Sequence, residues 1–251
     1  SDRREKQIAC NYVSLEKKEQ NEVYPRKHEQ ICILFTSGTT GVPNGVILSD
    51  KNIVNYIFNV QTFMKICYDD VVLQQSSVGF DVFIEETYSA LISGGSLVIV
   101  DKKTLYDNSK MVNIINNNKV TVVSCSPRYL GVLNNDDLPN VRLFISGGEK
   151  LLSKYYNNLI KYAKVFNTYG PTETTVCATY HECQESEEGN IPIGYPIYNS
   201  KVYLLDQYRN LQPLNVKGEI YIGGAGVTEP LNEDHAKRFI DNPFGEGKLF
   251  R

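Results

Sequence analysis

The stretch FIEETYSALISGGSLVIV, Phe83–Val100, decides the fold. Phe83 to Ile92 has apolar side chains at helical spacing and neither Pro nor Gly, so it reads as a helix. Gly94 and Gly95 stop that helix, and Ser96 to Val100 is an apolar run of strand length, hence a buried strand. A helix delivered into a buried strand through two glycines is one unit of an alternating α/β chain.

The same unit recurs on both sides. Downstream come a helix around Lys110 to Asn117, strands over Val120–Ser124 and Arg142–Ile145, a helix over Leu151–Ala163 and a strand at Val165–Phe166. Upstream, Ser49 and Asp50 cap a helix whose apolar face is Ile53, Val54, Ile57, Phe58 and Met64. Val71–Leu73 is a short strand, followed by a Gly-Phe-Asp turn at Gly79–Asp81. The expected fold is α/β, a mostly parallel sheet covered by helices. From Ile191 the texture changes to short β segments, Lys201–Leu205 and Gly218–Ile222, closed by Gly223 and Gly224, which reads as a smaller β-rich, barrel-like lobe. The expected divisions are a polar lead-in or edge segment over 1–30, an α/β lobe over 31–190 and the start of the β-rich lobe over 191–251.

Composition narrows the function classes. The 251 residues are 41% hydrophobic and 22% charged, which is ordinary for a folded protein. A net charge of −3 gives no general attraction to nucleic acid or anionic membrane, and no apolar run is long enough to span a bilayer. The charged start SDRREK is no signal peptide, and six scattered cysteines without a Cys-x-x-Cys pair read as reduced, so the expected location is cytoplasmic.

Right-handed crossovers place the loops that follow the strands along one edge, where such sheets bind ligands. Four of those loops are rich in glycine or hydroxyl groups: TSGTTG at 36–41, SCSPRY at 124–129, SGGEK at 146–150 and NTYGPTE at 167–173. In the first, short side chains on Thr36, Ser37, Thr39 and Thr40 admit an anion close to the backbone, and Gly38 and Gly41 let N–H groups converge on it. No Gly-Lys-Ser/Thr closes it, so it is not a P-loop, and taken alone it reads equally as a solvent loop.

FTSGTTGVPNGV at 35–46, NTYGPTETT at 167–175 and GEIYIGGAGV at 218–227, in that order, resemble the adenylate-forming superfamily, most closely the adenylation domains of nonribosomal peptide synthetases. The likeness runs from Ile31 onward. It implies a cytoplasmic ligase of antibiotic or other secondary-metabolite synthesis: an enzyme that uses ATP and Mg²⁺ to convert an amino acid into an aminoacyl-adenylate, releases pyrophosphate, and passes the acyl group to a phosphopantetheinyl carrier domain beside other synthetase domains. It assigns the β- and γ-phosphates to Thr36–Gly41 and the α-phosphate to Thr172. Glu173 becomes the Mg²⁺ ligand, with Thr36, Thr172 and Glu173 as catalytic residues. The nucleotide would rest on Gly147, Gly148, Glu149, Asn167, Thr168, Tyr169 and Gly170, with Tyr169 stacked on adenine and Asn167 at its exocyclic amine.

By the same resemblance, Asp81 pairs with the substrate α-ammonium, and the pocket wall is Val82, Glu85, Ser124, Ile145, Gly147, Thr168, Val176 and Cys177. Glu85 follows Asp81 by one helical turn, so both carboxylates can face one cavity. A buried carboxylate needs a cation, which makes a basic amino acid the expected substrate, with lysine first and ornithine or arginine behind it. This wall resembles the family's lysine-selecting pockets. The opposing reading has Glu85 facing solvent, paired with a protein cation, or displaced in the alignment by its neighbour Glu86.

Two departures from the family pattern stand out. Val42-Pro43-Asn44-Gly45 replaces a Lys-Pro-Lys-Gly, which removes cations from the phosphate loop. Phe250 and Arg251 resemble the start of a Tyr-Arg-Thr-Gly-Asp motif, and by the family pattern the part before the phosphate loop is short as well, so the expectation is a core piece without the N-terminal part, the ribose-binding Asp or the C-terminal lobe, binding substrate but adenylating poorly. The other readings are a D-alanine-carrier-type ligase, an acyl- or aryl-CoA ligase, and a non-catalytic amino-acid-binding scaffold.

Overall fold

The structure, a computed structural model, describes residues 29–36 and 43–251. Its centre is a seven-stranded sheet in the order β4 (Ser96–Ile99), β3 (Val71–Gln74), β5 (Val122–Cys125), β6 (Leu143–Gly147), β7 (Lys164–Tyr169), β8 (Thr179–Glu182) and β9 (Tyr195–Pro196). Neighbours from β4 to β7 are parallel, and β8 and β9 join antiparallel. The fold is the expected mixed α/β one, with additional antiparallel sheets.

Strand alternation gives this sheet two cores. Val72, Val122, Leu143, Ile145 and Phe166 point into one buried cluster. Leu73, Val123, Phe144 and Val165, each one residue away, point into another. Successive side chains of a strand face opposite sides, so these clusters lie on the two faces of the sheet. Helices α1 (Asp50–Met64) and α2 (Val82–Ile92) cover the first face, while α3 (Asn108–Asn117) and α4 (Pro127–Leu133) cover the second.

Helix α1 begins with a reciprocal cap. The Ser49 hydroxyl accepts from Asn52 N–H at 3.3 Å, and Asn52 Oδ1 accepts from Ser49 N–H at 3.0 Å. The Asn52 amide also donates to the carbonyls of Ala225 and Val227, at 2.8 and 3.2 Å, tying α1 to a turn far along the chain.

The strands after residue 190 are shared out. Beyond β9, β10 (Ser200–Leu205) and β11 (Glu219–Gly224) form an antiparallel sheet whose strand order ends β14 (Lys248–Phe250), β13 (Phe239–Asp241). Between them β12 (Glu229–Pro230) crosses to pair with β2 (Asn44–Ser49), and the short helix α5 (Glu233–Ala236) follows it.

Four expectations are corrected. The apolar run at Ile31 is β1 (Gln30–Thr36), which pairs antiparallel with β2 in a separate three-stranded sheet, so the loop after it does not leave the parallel sheet. Leu34 is buried whereas Ile31, Ile33 and Phe35 are exposed, so β1 is covered on one side, and apolar residues on both sides imitate a buried strand. The helix expected over 151–163 is two 3₁₀ turns, Ser153–Tyr155 and Leu159–Lys161. There Asn134 Oδ1 takes the N–H groups of Asn158 and Leu159, at 3.0 and 3.3 Å, which a helix would have used. Conversely, SCSPRY contains the start of α4, with Ser126 as its cap and Pro127 in its first turn. On α1 the buried stripe is Ile53, Tyr56, Ile57, Val60 and Met64, while Val54 and Phe58 are 64% and 55% exposed.

Candidate active site

The loops after β3, β5, β6 and β7 open on the same edge of the sheet and enclose a cavity of about 460 Å³. Asp81, Val82 and Glu85 enter it from the first turn of α2, Ser124 from β5, Gly147 from β6, and Thr168, Thr172 and Val176 from β7 and the segment after it. Ile145 and Cys177 are buried behind that wall rather than lining it.

Two carboxylates set its electrostatics. Asp81 Oδ2 accepts from the Thr172 hydroxyl at 2.5 Å, so the positions assigned to α-ammonium and α-phosphate are one hydrogen bond apart. Burial raises the Asp81 pKa, and the charge of Glu173 adds to the rise. Glu85 is 2% exposed; its Oε1 accepts from Ser124 at 2.7 Å and its Oε2 from Tyr56. Burial raises its pKa as well, with Asp81 contributing. Glu85 does not face solvent, and no basic side chain among the described residues forms an ion pair with it.

Glu86 does different work. Its carboxylate accepts from the backbone N–H of Ser76 at 3.0 Å and of Gln75 at 3.3 Å, and from the Ser76 hydroxyl at 3.0 Å. It therefore shapes the loop after β3, while the Gln75 side chain reaches the Ser124 carbonyl at 2.5 Å. Of the adjacent glutamates, Glu85 is the one in the cavity.

A second cavity, of about 440 Å³, adjoins the first across Gly148, Thr168, Gly170 and Pro171, and is lined further by Glu149, Asn167, Tyr169, Ile191 and Ile193. The Asn167 amide donates to the Pro192 carbonyl at 2.7 Å, so its donors serve the protein and Oδ1 is what it can offer an exocyclic amine. Glu149 is half-exposed and pairs with Arg128 at 3.1 Å. Gly147 is required by packing: a Cβ there would collide with the Thr168 hydroxyl and carbonyl.

Glu173 sits in a short 3₁₀ turn, Thr172–Thr174, and is nearly buried. Its Oε1 is hydrogen-bonded to His235 Nε2 at 2.8 Å, and its carbonyl accepts from the Thr228 N–H and hydroxyl at 2.9 and 3.0 Å. Its Oε2 has no protein partner among the described residues. One free carboxylate oxygen fits a Mg²⁺ that takes its other ligands from phosphates and water, and no cluster of three or more acidic, His or Cys side chains that could hold a metal is found among the described residues. Thr36 ends β1, paired with Asn44. Ser37, Gly38, Thr39, Thr40 and Gly41 lie outside the described residues.

Two residues of the site escaped the sequence reading. Tyr56 reaches Glu85 from α1, and the spacing Ile53, Tyr56, Ile57, Val60 carried a signal for its burial. His235 reaches Glu173 across 62 residues, and no local pattern points to it.

Comparison with known proteins identifies the family. Residues 2–230 match a family model described as AMP-binding enzyme. Bacitracin synthase 2 of Bacillus licheniformis is 43% identical over 201 residues, covering 78% of this chain and 8% of that protein. Gramicidin S synthase 1 of Brevibacillus brevis is 33% identical over 224 residues, 87% of this chain and 20% of that protein. The chain thus spans a small part of these relatives. The Vibrio cholerae adenylation domain AlmE, solved in complex with glycyl-adenosine-5'-phosphate, superposes with a TM-score of 0.82 at 24% identity, over 91% of this chain and 46% of that one. That likeness establishes the fold alone. Among the described residues no helix is long and apolar enough to cross a membrane.

Proposed function

Since this chain belongs to the AMP-binding enzyme family, we propose that it serves an ATP-dependent ligase that activates an amino acid as its aminoacyl-adenylate, releasing pyrophosphate, for transfer to the thiol of a phosphopantetheinyl carrier domain in nonribosomal peptide synthesis. The relatives named for the synthesis of bacitracin and gramicidin S support the class of reaction. The amino acid is basic, with lysine first. The observation that carries this is Glu85, a carboxylate buried in the cavity with no basic partner among the described residues. Leaving such a charge unpaired is expensive, and a cationic side chain removes that cost.

The residues divide the work. Asp81 receives the α-ammonium at the start of α2, and Glu85 receives the side-chain cation one turn, about 6 Å, further along the helix. Thr172, bonded to Asp81, stands where the substrate carboxylate and the α-phosphate meet. The second cavity takes adenine against Tyr169 and Gly148, with Asn167 Oδ1 accepting from its amine. The β- and γ-phosphates go to the loop that begins at Thr36. Glu173 Oε2 would hold the Mg²⁺, which when bound neutralises charge on the phosphates.

Amino-acid-dependent pyrophosphate exchange by the full-length protein tests this. Lysine should give the strongest exchange, and Glu85→Gln should weaken lysine selection by roughly 1.5–3 kcal/mol, the value of a hydrogen bond to a charged group. A strong wild-type preference for a neutral side chain overturns the basic substrate.

A further inference from the structure

Behind the cavity, Glu85 is gripped from two sides. Ser124 donates to Oε1 from β5, and Tyr56 donates to Oε2 from α1. The Tyr56 oxygen in turn accepts from the Cys177 thiol at 3.4 Å. Tyr56 is 1% exposed and does not line the cavity, so it touches Glu85 and not the substrate. Its ring belongs to the core cluster with Ile53, Ile57 and Val60, where a Phe would fill the same space. The hydroxyl is therefore not explained by packing.

A carboxylate oxygen accepts about two hydrogen bonds. With one donor already on each oxygen of Glu85, the carboxylate is fixed in rotation, and each oxygen keeps capacity for a cationic donor from the cavity. Donors aimed at a carboxylate also favour its ionised form against the opposing effect of burial. Asp81 pushes the other way, and no positive group among the described residues assists.

We propose that Tyr56 is a specificity-determining positioning residue: from outside the cavity it holds the Glu85 carboxylate aimed, so that the site takes a cationic side chain over a neutral one of the same shape. This rests on the reading of a basic substrate given above.

The test is pyrophosphate exchange by the full-length protein with lysine and with norleucine, which has lysine's carbon chain and no side-chain ammonium. Tyr56→Phe removes one oxygen and keeps the ring. It should raise the KM for lysine about tenfold or more, as expected for losing one hydrogen bond to a charged group, with kcat changed less than about twofold and the KM for norleucine not raised. In a Glu85→Gln background the same change should leave the ratio of the two KM values where Glu85→Gln alone puts it. A Tyr56→Phe effect that is equal for the two amino acids, absent, or undiminished by Glu85→Gln overturns the proposal. The arms separate the two ideas: wild-type protein that favours neutral amino acids removes the substrate reading and this proposal together, whereas a wild-type lysine preference left undiminished by Tyr56→Phe removes this proposal alone.

Discussion

Glu85 and Glu86 are consecutive, both buried, and face different tasks. Glu86 holds the Gln74–Ser76 loop, and burial lifts its pKa from 4.5 to about 7 despite those hydrogen bonds. Its folded form therefore binds a proton more tightly than the unfolded chain does. The stability it contributes is full below about pH 4.5, is lost as pH rises towards 7, and changes little above that. A shift of this size corresponds to roughly 3 kcal/mol. In urea titrations at a series of pH values, Glu86→Gln should remove about that much of the decline between pH 4.5 and 7; an unchanged decline would assign it elsewhere. Asp81 and Glu85, also raised, act in the same direction. At this scale the sequence was legible where chemistry and spacing coincide: Asp81 and Glu85 are one turn apart and enter one cavity. Tyr56 and His235 were hidden because each acts through a partner distant in the chain, at Glu85 and Glu173.

Elements were legible when their own residues decided them. Helix α2 and strand β4 follow from apolar spacing and two glycines, and the structure has them at Val82–Ile92 and Ser96–Ile99. The segment 151–163 was not legible, because its conformation is set by Asn134 from the end of α4. Asn134 is buried, accepts two backbone N–H groups there, and donates to Asn157 Oδ1 at 2.7 Å. Asn134→Ala would strand those donors, at a cost of about 1–3 kcal/mol for each buried group left unsatisfied. The expected result is a lower urea midpoint with an unchanged slope; a midpoint within error of wild type would show that the 3₁₀ turns stand without it. Strand β1 misled for the opposite reason, since its outward side chains are as apolar as its inward ones.

At the scale of the whole molecule, the central seven-stranded sheet carries a separate core on each face. Ile57 belongs to the cluster under α1, and Leu133 to the cluster under α4. Each truncation to Ala should cost about 2–5 kcal/mol. Because the parallel strands stand between them, the double variant should lose the sum to within about 0.5 kcal/mol, read from denaturant unfolding. A larger discrepancy would mean that strain passes through the sheet. The third sheet adds a matter of timing. Strand β2 has β1 on one side and β12 on the other, and Glu229 pairs with Ile47. Some 180 residues separate those partners, so a ribosome adding about 5–20 residues per second leaves that edge without its partner for roughly 10–40 s. During that interval the nascent hairpin presents an open ladder to every neighbouring chain, and its safekeeping falls to chaperones or to the speed of translation.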